Sequence, residues 1–273
     1  MSSIWTLYFS PTGSTKTVVE TVSAVVSGMM ETEEPMVVDF TQPYIREKKL
    51  TFAEGDIVFV GVPTYAGRVP NKIMPFIAEN LAGNGAYAVP IVTYGNRSFD
   101  DSLAELADLL EGNEFRLLGG GAFPCQHAFA ENLATGRPDM MDVLQALQLG
   151  EAVANHLASG TVLKADVFPG NHPAGPYYVP KGVDGEPAKF LKAKPVTDQE
   201  KCTQCGICAK ACPMGSIDPA EKFEATGICI KCQACIKKCP TGAKFFDDAA
   251  FLSHRQMLMN NFCAERKEVT LVK

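Results

Sequence analysis

No stretch of this sequence approaches the run of about 18 apolar residues that a membrane span requires, so no membrane partner is expected. The first residues, MSSIWTLYFSPTG, lack the charged region, long apolar core and small-residue cleavage site of an export signal, and a soluble cytoplasmic protein is the expectation. Basic residues form no dense patch interleaved with aromatics, which argues against nucleic acid as a partner. Lys181, Lys189, Lys192 and Lys194 read instead as solvated linker charge. The G-x-x-x-x-G-K-[ST] loop of nucleotide triphosphatases is missing, and so is any acid–base pair or nucleophile constellation that would indicate a hydrolase or transferase. Cysteine is not scarce. The chain has 10, and without an export signal eight clustered cysteines read as metal ligands rather than a disulfide framework.

With 273 residues, 46% of them hydrophobic, the chain is long enough for one sizeable core and a smaller module. Residues 1–160 carry 9 Lys+Arg against 19 Asp+Glu, a net −10; residues 161–273 carry 16 against 12, a net +4. The two parts should attract weakly.

In residues 1–160, short apolar runs alternate with segments of helical period. Ile4 to Phe9 reads as a strand, the turn SPTGST follows, and Val18, Val22, Val25 and Met29 then recur at helix spacing. Met36 to Phe40, residues 56–63, residues 86–95 and residues 115–123 read as four more strands. Residues 71–82, 102–112 and 141–158 read as helices. Nearly all-apolar strands alternating with helices imply a parallel sheet covered on both faces, here an α/β doubly wound domain of five strands. Ligands of such sheets bind beyond the carboxyl ends of the strands, where the winding direction switches.

Three loops would lie there. Ser10-Pro11-Thr12-Gly13-Ser14-Thr15 opens the first helix, and its hydroxyls and free N–H groups suit a phosphate; the same residues suit a ligand-free helix cap, and both readings stand. Pro63-Thr64-Tyr65-Ala66-Gly67 and Thr93-Tyr94-Gly95-Asn96, with Phe99 beyond, place aromatics beside glycines. Tyr65, Tyr94 and Phe99 are candidates to flank a flat ring, or, taken singly, lids on the core. With SPTGST, the TYAG and TYGNRSFDD loops resemble those of the flavodoxin family, which binds FMN. The resemblance implies that Ser10, Thr12, Gly13, Ser14 and Thr15 hold the FMN phosphate, and that the loops around Thr64–Gly67 and Tyr94–Asn96 hold the isoalloxazine. Which aromatic stacks on the ring is left open.

Residues 202–213 (CTQCGICAKACP) and 229–240 (CIKCQACIKKCP) are two copies of C-x2-C-x2-C-x3-C-P starting 27 residues apart. Three thiolates within seven residues wrap one corner of an iron–sulfide cube, and the fourth, redirected by its proline, reaches the other cube. The spacing predicts one cluster on Cys202, Cys205, Cys208 and Cys239 and another on Cys229, Cys232, Cys235 and Cys212. Zinc is the alternative occupant, but structural zinc normally uses two separated C-x2-C pairs. Over residues 198–248 the pattern resembles bacterial two-[4Fe-4S] ferredoxins, an α+β module.

Cys125 and Cys263 lack ligand spacing and read as idle thiols, or, for Cys125, as a redox group beside the flavin; His127 is either near the flavin edge or a packing residue. Residues 161–197 read as a Pro/Gly-rich linker whose Pro173, Pro176, Tyr177, Tyr178 and Pro180 favour docking on a surface. Residues 249–273 read as a helix and tail, with Phe251, Leu258 and Phe262 on one side. The whole arrangement resembles the fused flavodoxin–ferredoxin proteins of anaerobic bacteria and archaea. That resemblance implies electron transfer between two [4Fe-4S] clusters and FMN, with a redox partner protein as donor or acceptor and a homo-oligomer as one possible assembly. A carrier is the leading expectation. A reductase of a small organic molecule and a redox sensor with structural clusters are the alternatives.

Overall fold

Five parallel strands form the core of the computed structural model, which describes residues 2–273: Ile4–Tyr8 (β1), Met36–Asp39 (β2), Ile57–Pro63 (β3), Tyr87–Tyr94 (β4) and Gly120–Pro124 (β5). β1 lies between β2 and β3, so that Thr6 faces Val37 on one side and Phe59 on the other. The sheet runs β2-β1-β3-β4-β5, and the direction of winding reverses at β1 and β3.

Four helices cover it. Ser14–Met29 (α1) and Met140–Ser159 (α4) lie on one face, where Val18, Val19, Val22 and Val26 meet Leu149 and Val153. Met74–Asn80 (α2) and Ser102–Gly112 (α3) cover the other, over Phe9, Phe40, Phe76, Leu103 and Leu106. Full burial of each such side chain contributes about 1.5–3 kcal/mol. α4 starts at a capping box: Asp139 accepts from the Met141 and Asp142 N–H groups, and Asp142 accepts from the Asp139 N–H at 2.9 Å. α1 has no such cap, a difference that matters at the site.

The run at residues 115–123 is not one strand. Arg116–Leu117 pairs with the start of β4, the chain breaks at Gly119 (φ +143°), and β5 begins at Gly120. With that short strand the sheet has seven, the last being Thr270–Val272 (β6), which returns antiparallel to β5 and pairs Leu271 with Gly121. The tail is clamped on its way. Arg137, buried and paired with Asp142, donates to the Lys267 carbonyl at 2.6 Å, and Arg266 pairs with Asp139 at 2.8 Å.

Residues 195–248 form the small module. Val196–Thr197 pairs with Lys244–Phe245, and Ile217–Asp218 with Glu224–Ala225. Ile207–Ala211 (α5) and Ala234–Lys237 (α6) are one-turn helices. The 27-residue repeat is visible in the backbone: Gln204 and Lys231 both have φ +56°, and Gly206 and Gln233 have φ +76° and +67°. Left-handed residues at equivalent positions bend each C-x2-C-x2-C run around a centre. Ala249–Phe262 (α7) follows, with Phe251 and Leu258 buried.

Residues 161–195 are laid along the first domain. Asp101 accepts from the Asn171 and Gly175 N–H groups at 3.0 and 2.8 Å, Tyr177 donates to the Val69 carbonyl at 2.9 Å, and the Tyr178 N–H donates to the Ala66 carbonyl at 2.8 Å. Arg68 and Arg97 stack over the rings of Tyr177 and Tyr178. Among the described residues no helix is long and apolar enough to cross a membrane.

Candidate functional site: a roofed cavity and two cysteine-ringed hollows

At the carboxyl ends of β1, β3 and β4 lies a cavity of about 240 Å3. Its floor comes from the three loops singled out in the sequence: Thr12, Ser14 and Thr15; Pro63 to Gly67; and Thr93, Tyr94 and Gly95. The first loop ends at the N-terminus of α1, where Gly13 (φ +101°) takes the cap position without a side-chain cap. The N–H groups of Thr12, Gly13, Ser14 and Thr15 make no hydrogen bond among the described residues. Four free donors at the positive end of a 16-residue helix suit an anion. The hydroxyls of Thr15 and Thr93 meet at 2.7 Å and tie two of the loops together.

The second loop closes a tight turn in which Tyr65 and Arg68 exchange backbone hydrogen bonds at 2.9 and 3.2 Å. Ala66 and Gly67 take φ +49° and +81°. A Cβ on Gly67 would stand 2.3 Å from the Asp100 carboxylate, so this glycine also lets the third loop approach.

The structure places three of the expected side chains away from the cavity. Ser10 turns away from the cavity, its Oγ accepting from the Lys16 N–H at 3.0 Å, as a helix cap does. Gly13 brings no side chain to the cavity, and what it offers there is its free N–H. Asn96 is buried elsewhere, its Nδ2 donating to the Phe262 and Glu265 carbonyls, both at 2.7 Å, because the returning tail supplies acceptors there. Phe99 packs on Tyr94 at 5.4 Å between centroids and belongs to the core.

The cavity has a roof that no single motif announces. Tyr178, Pro180 and Phe190 of the linker, Ile230 and Lys231 of the small module, and His254 and Leu258 of α7 close over it. Aromatic contacts knit the roof: Phe190 stacks on His254 at 5.4 Å, and Phe251 meets Phe129, Phe190 and Phe246. The loop after β5 completes the wall with Cys125, which is buried, and His127; Cys263 is exposed and does not line the cavity.

The two histidines are held in complementary tautomers. His127 Nδ1 accepts from the Phe129 and Ala130 N–H groups at 3.3 and 3.1 Å, which leaves its proton on Nε2. Burial, followed by the positive charges of His254, Lys237 and Arg97, lowers its pKa to about 3. His254 Nδ1 donates to the Lys181 carbonyl at 2.8 Å, and burial lowers its pKa as well. Both rings are therefore neutral near pH 7.

Cys202, Cys205, Cys208 and Cys239 line one hollow of the small module; Cys212, Cys229, Cys232 and Cys235 line the other. Backbone donors already point at sulfur: the Ser216 N–H lies 3.3 Å from Cys212 Sγ, and the Lys231 N–H 3.4 Å from Cys229 Sγ. Burial pushes the Cys235 thiol up to about 12, and those of Cys229 and Cys232 upward too.

Residues 195–218 match a family described as a 4Fe-4S binding domain, and residues 226–242 match a second family of that description. Among solved structures the chain is similar to a flavodoxin from the domain Archaea, at 18% identity and a TM-score of 0.40 over 58% of this chain and 99% of that one. It is similar to the flavodoxin of Streptococcus pneumonia TIGR4 at 16% and 0.39, over 56% and 97%. For rubredoxin oxygen:oxidoreductase from the anaerobe Desulfovibrio gigas the values are 15% and 0.35, over 58% and 36%. No curated protein matches the chain. The strand order 2-1-3-4-5, with the cavity at the β1/β3 switch, defines the first domain independently of these likenesses. The chain joins a flavodoxin-like fold to two 4Fe-4S binding domains.

The second hollow and the roofed cavity share a wall. Ile230 and Lys231, lying between Cys229 and Cys232 in the chain, line both. Tyr65 of the flavodoxin-like domain packs with Ile230 against Cys232 and Ala234. Burial, then the nearby Cys232 and Cys229, raise the Tyr65 hydroxyl pKa well above its ordinary value. Arg46 of the flavodoxin-like domain also donates to the carbonyl of Pro213, which lines that hollow next to Cys212. Loop sequence alone carries no signal for these contacts.

Proposed function

We propose that this chain is an electron-transfer protein that holds two [4Fe-4S] clusters and FMN and passes electrons between them within one polypeptide. The donor sets fit these groups. Structural zinc is normally held by two separated C-x2-C pairs, whereas each set here joins a C-x2-C-x2-C run to one cysteine of the other run around a hollow of its own. Cys202, Cys205, Cys208 and Cys239 are the ligands of one cluster, and Cys212, Cys229, Cys232 and Cys235 of the other. The free N–H groups of residues 12–15, with the hydroxyls of Thr12, Ser14 and Thr15, bind the FMN phosphate, and the cavity between the Tyr65 and Tyr94 loops takes the ring. When bound, the clusters exchange single electrons and the flavin holds one or two.

One observation carries the reading: the wall formed by Ile230 and Lys231, with Tyr65 packed beside Cys232, belongs at once to a cysteine-ringed hollow and to the cavity. Successive Cα atoms are about 3.8 Å apart, so roughly one peptide unit separates a ligand cysteine from the cavity lining. The roof covers the cavity on the side of the linker, small module and α7, the side from which a partner would otherwise approach a ring held there. The ring's immediate donor or acceptor is thus the chain's own second cluster, and a partner exchanges electrons through the small module.

Anaerobic purification followed by iron, sulfide, zinc and flavin quantitation and a reductive titration tests this. About eight irons and one FMN per chain are expected. Stoichiometric zinc, or a chain that binds no flavin, refutes it.

A further inference from the structure

Lysines that look like unrelated linker charge in the sequence are gathered by the fold. A groove of about 960 Å3 runs along the junction of linker, small module and flavodoxin-like domain. Lys72, Lys189, Lys192, Lys194 and Lys231 line it, and no aspartate or glutamate does. None of the five forms an ion pair among the described residues. Two are fixed at the floor by backbone carbonyls: Lys194 donates to Thr226 at 2.8 Å, and Lys231 to Leu191 and Cys229. Lys72, Lys189 and Lys192 stand exposed at the rim. An unneutralised cationic groove on a chain of net charge −6 departs from the protein's overall field.

Two further features decide what such a groove receives. Leu191 (88% exposed) and Ile228 (55%) put apolar surface among the lysines, which matches a protein interface with an apolar centre and charged rim. Cys229, a ligand of the second cluster under the proposed function, lines the groove, and Tyr65, Phe190 and Ile230 line both the groove and the flavin cavity. We infer that this groove is the docking site for an acidic electron-carrier protein, seated where electrons enter or leave through the cluster on Cys212, Cys229, Cys232 and Cys235. In each encounter one electron leaves the carrier and one reaches that cluster, or the reverse; no bond is made and no proton moves. The inference rests on the proposed function for its redox consequence, but the docking itself can be read separately.

The test uses the full-length holoprotein and an acidic [2Fe-2S] ferredoxin as probe. The variant Lys72→Glu/Lys189→Glu/Lys192→Glu is compared with Lys48→Glu/Lys49→Glu/Lys164→Glu, which has the same net charge change outside the groove. Carbodiimide cross-linking, mapped by mass spectrometry, should join ferredoxin carboxylates to Lys72, Lys189 or Lys192 in the unmodified chain. The second-order rate constant of electron exchange should fall about tenfold or more at low ionic strength in the groove variant, and stay within about twofold in the control. Equal losses in both variants, cross-links confined to other lysines, or one-to-one occupation of the groove by ATP without carrier cross-linking would each overturn the inference. Absence of flavin or clusters shows in the visible spectrum, and the cross-link map reports docking regardless.

Discussion

Replacing Asn96 with alanine distinguishes a flavin ligand from a structural clamp. In the structure its carboxamide is buried and donates two 2.7 Å hydrogen bonds, to the Phe262 and Glu265 carbonyls, while the 3.4 Å approach of the Lys267 N–H to Oδ1 adds little. The two carbonyls belong to half-buried and exposed residues and can turn to water once the amide is gone. Each lost bond then costs its net value of about 0.5–1.5 kcal/mol, and Asn96→Ala should destabilise by about 1–3 kcal/mol. The loss should be local: α7 frays at its end, β6 loosens from β5, and the roof residues His254 and Leu258 lose support. Native-state hydrogen exchange should show faster exchange over residues 262–272, with the amides of β3 and β4 unchanged. Deleting residues 263–273 should roughly halve the effect of the substitution, since the Glu265 carbonyl is gone and the Phe262 carbonyl remains. Unchanged exchange in the tail combined with weaker FMN binding would refute the clamp and restore Asn96 as a flavin contact.

The crosswise cysteine sets make a second prediction: Cys239→Ala should abolish the paramagnetic signal of the cluster in the Cys202 hollow, and Cys212→Ala that of the other, with cluster-to-flavin transfer slowed at least tenfold only in Cys212→Ala. Loss of the opposite cluster in either variant, read by EPR and iron content, would contradict the assignment. A third concerns pH. His127 has a folded pKa of about 3 against 6.5 for the ordinary group, so below pH 6.5 the unfolded chain takes up a proton that the folded chain refuses. Stability should therefore be flat in this respect above pH 6.5 and decline as pH falls toward 3, by at most about 1.4 kcal/mol per pH unit. His127→Gln should flatten the decline in denaturant midpoints between pH 6 and 4; an unchanged slope would show that His127 is not the group responsible.

Much of this protein is legible in one dimension. The apolar runs of β1, β3 and β4 are strands buried on both faces, while β2 is a largely exposed edge strand held by its pairing with β1, and the helix-period segments bury their stripes on that sheet. Three cysteines of each set come together because a C-x2-C-x2-C run with left-handed residues at fixed positions curves around a centre, a local property, and the fourth arrives from the other copy of the repeat. The first loop is equally local: a helix start after the first strand that leaves the N–H groups of residues 12–15 free. What the chain does with these parts depended on long-range contacts with no periodic signature. Three residues at 270–272 become a strand only because the glycine-rich edge of β5 leaves its hydrogen bonds open to them. Asn96 and Ser10 have side chains suited to a ligand, but each is captured by a backbone group, one distant and one nearby. The roof, the shared wall at Ile230 and Tyr65, and the lysine groove join segments far apart in sequence. Motif spacing specifies what can be bound; only packing of the linker and tail on the first domain decided which groups stand next to each other and which surface stays open.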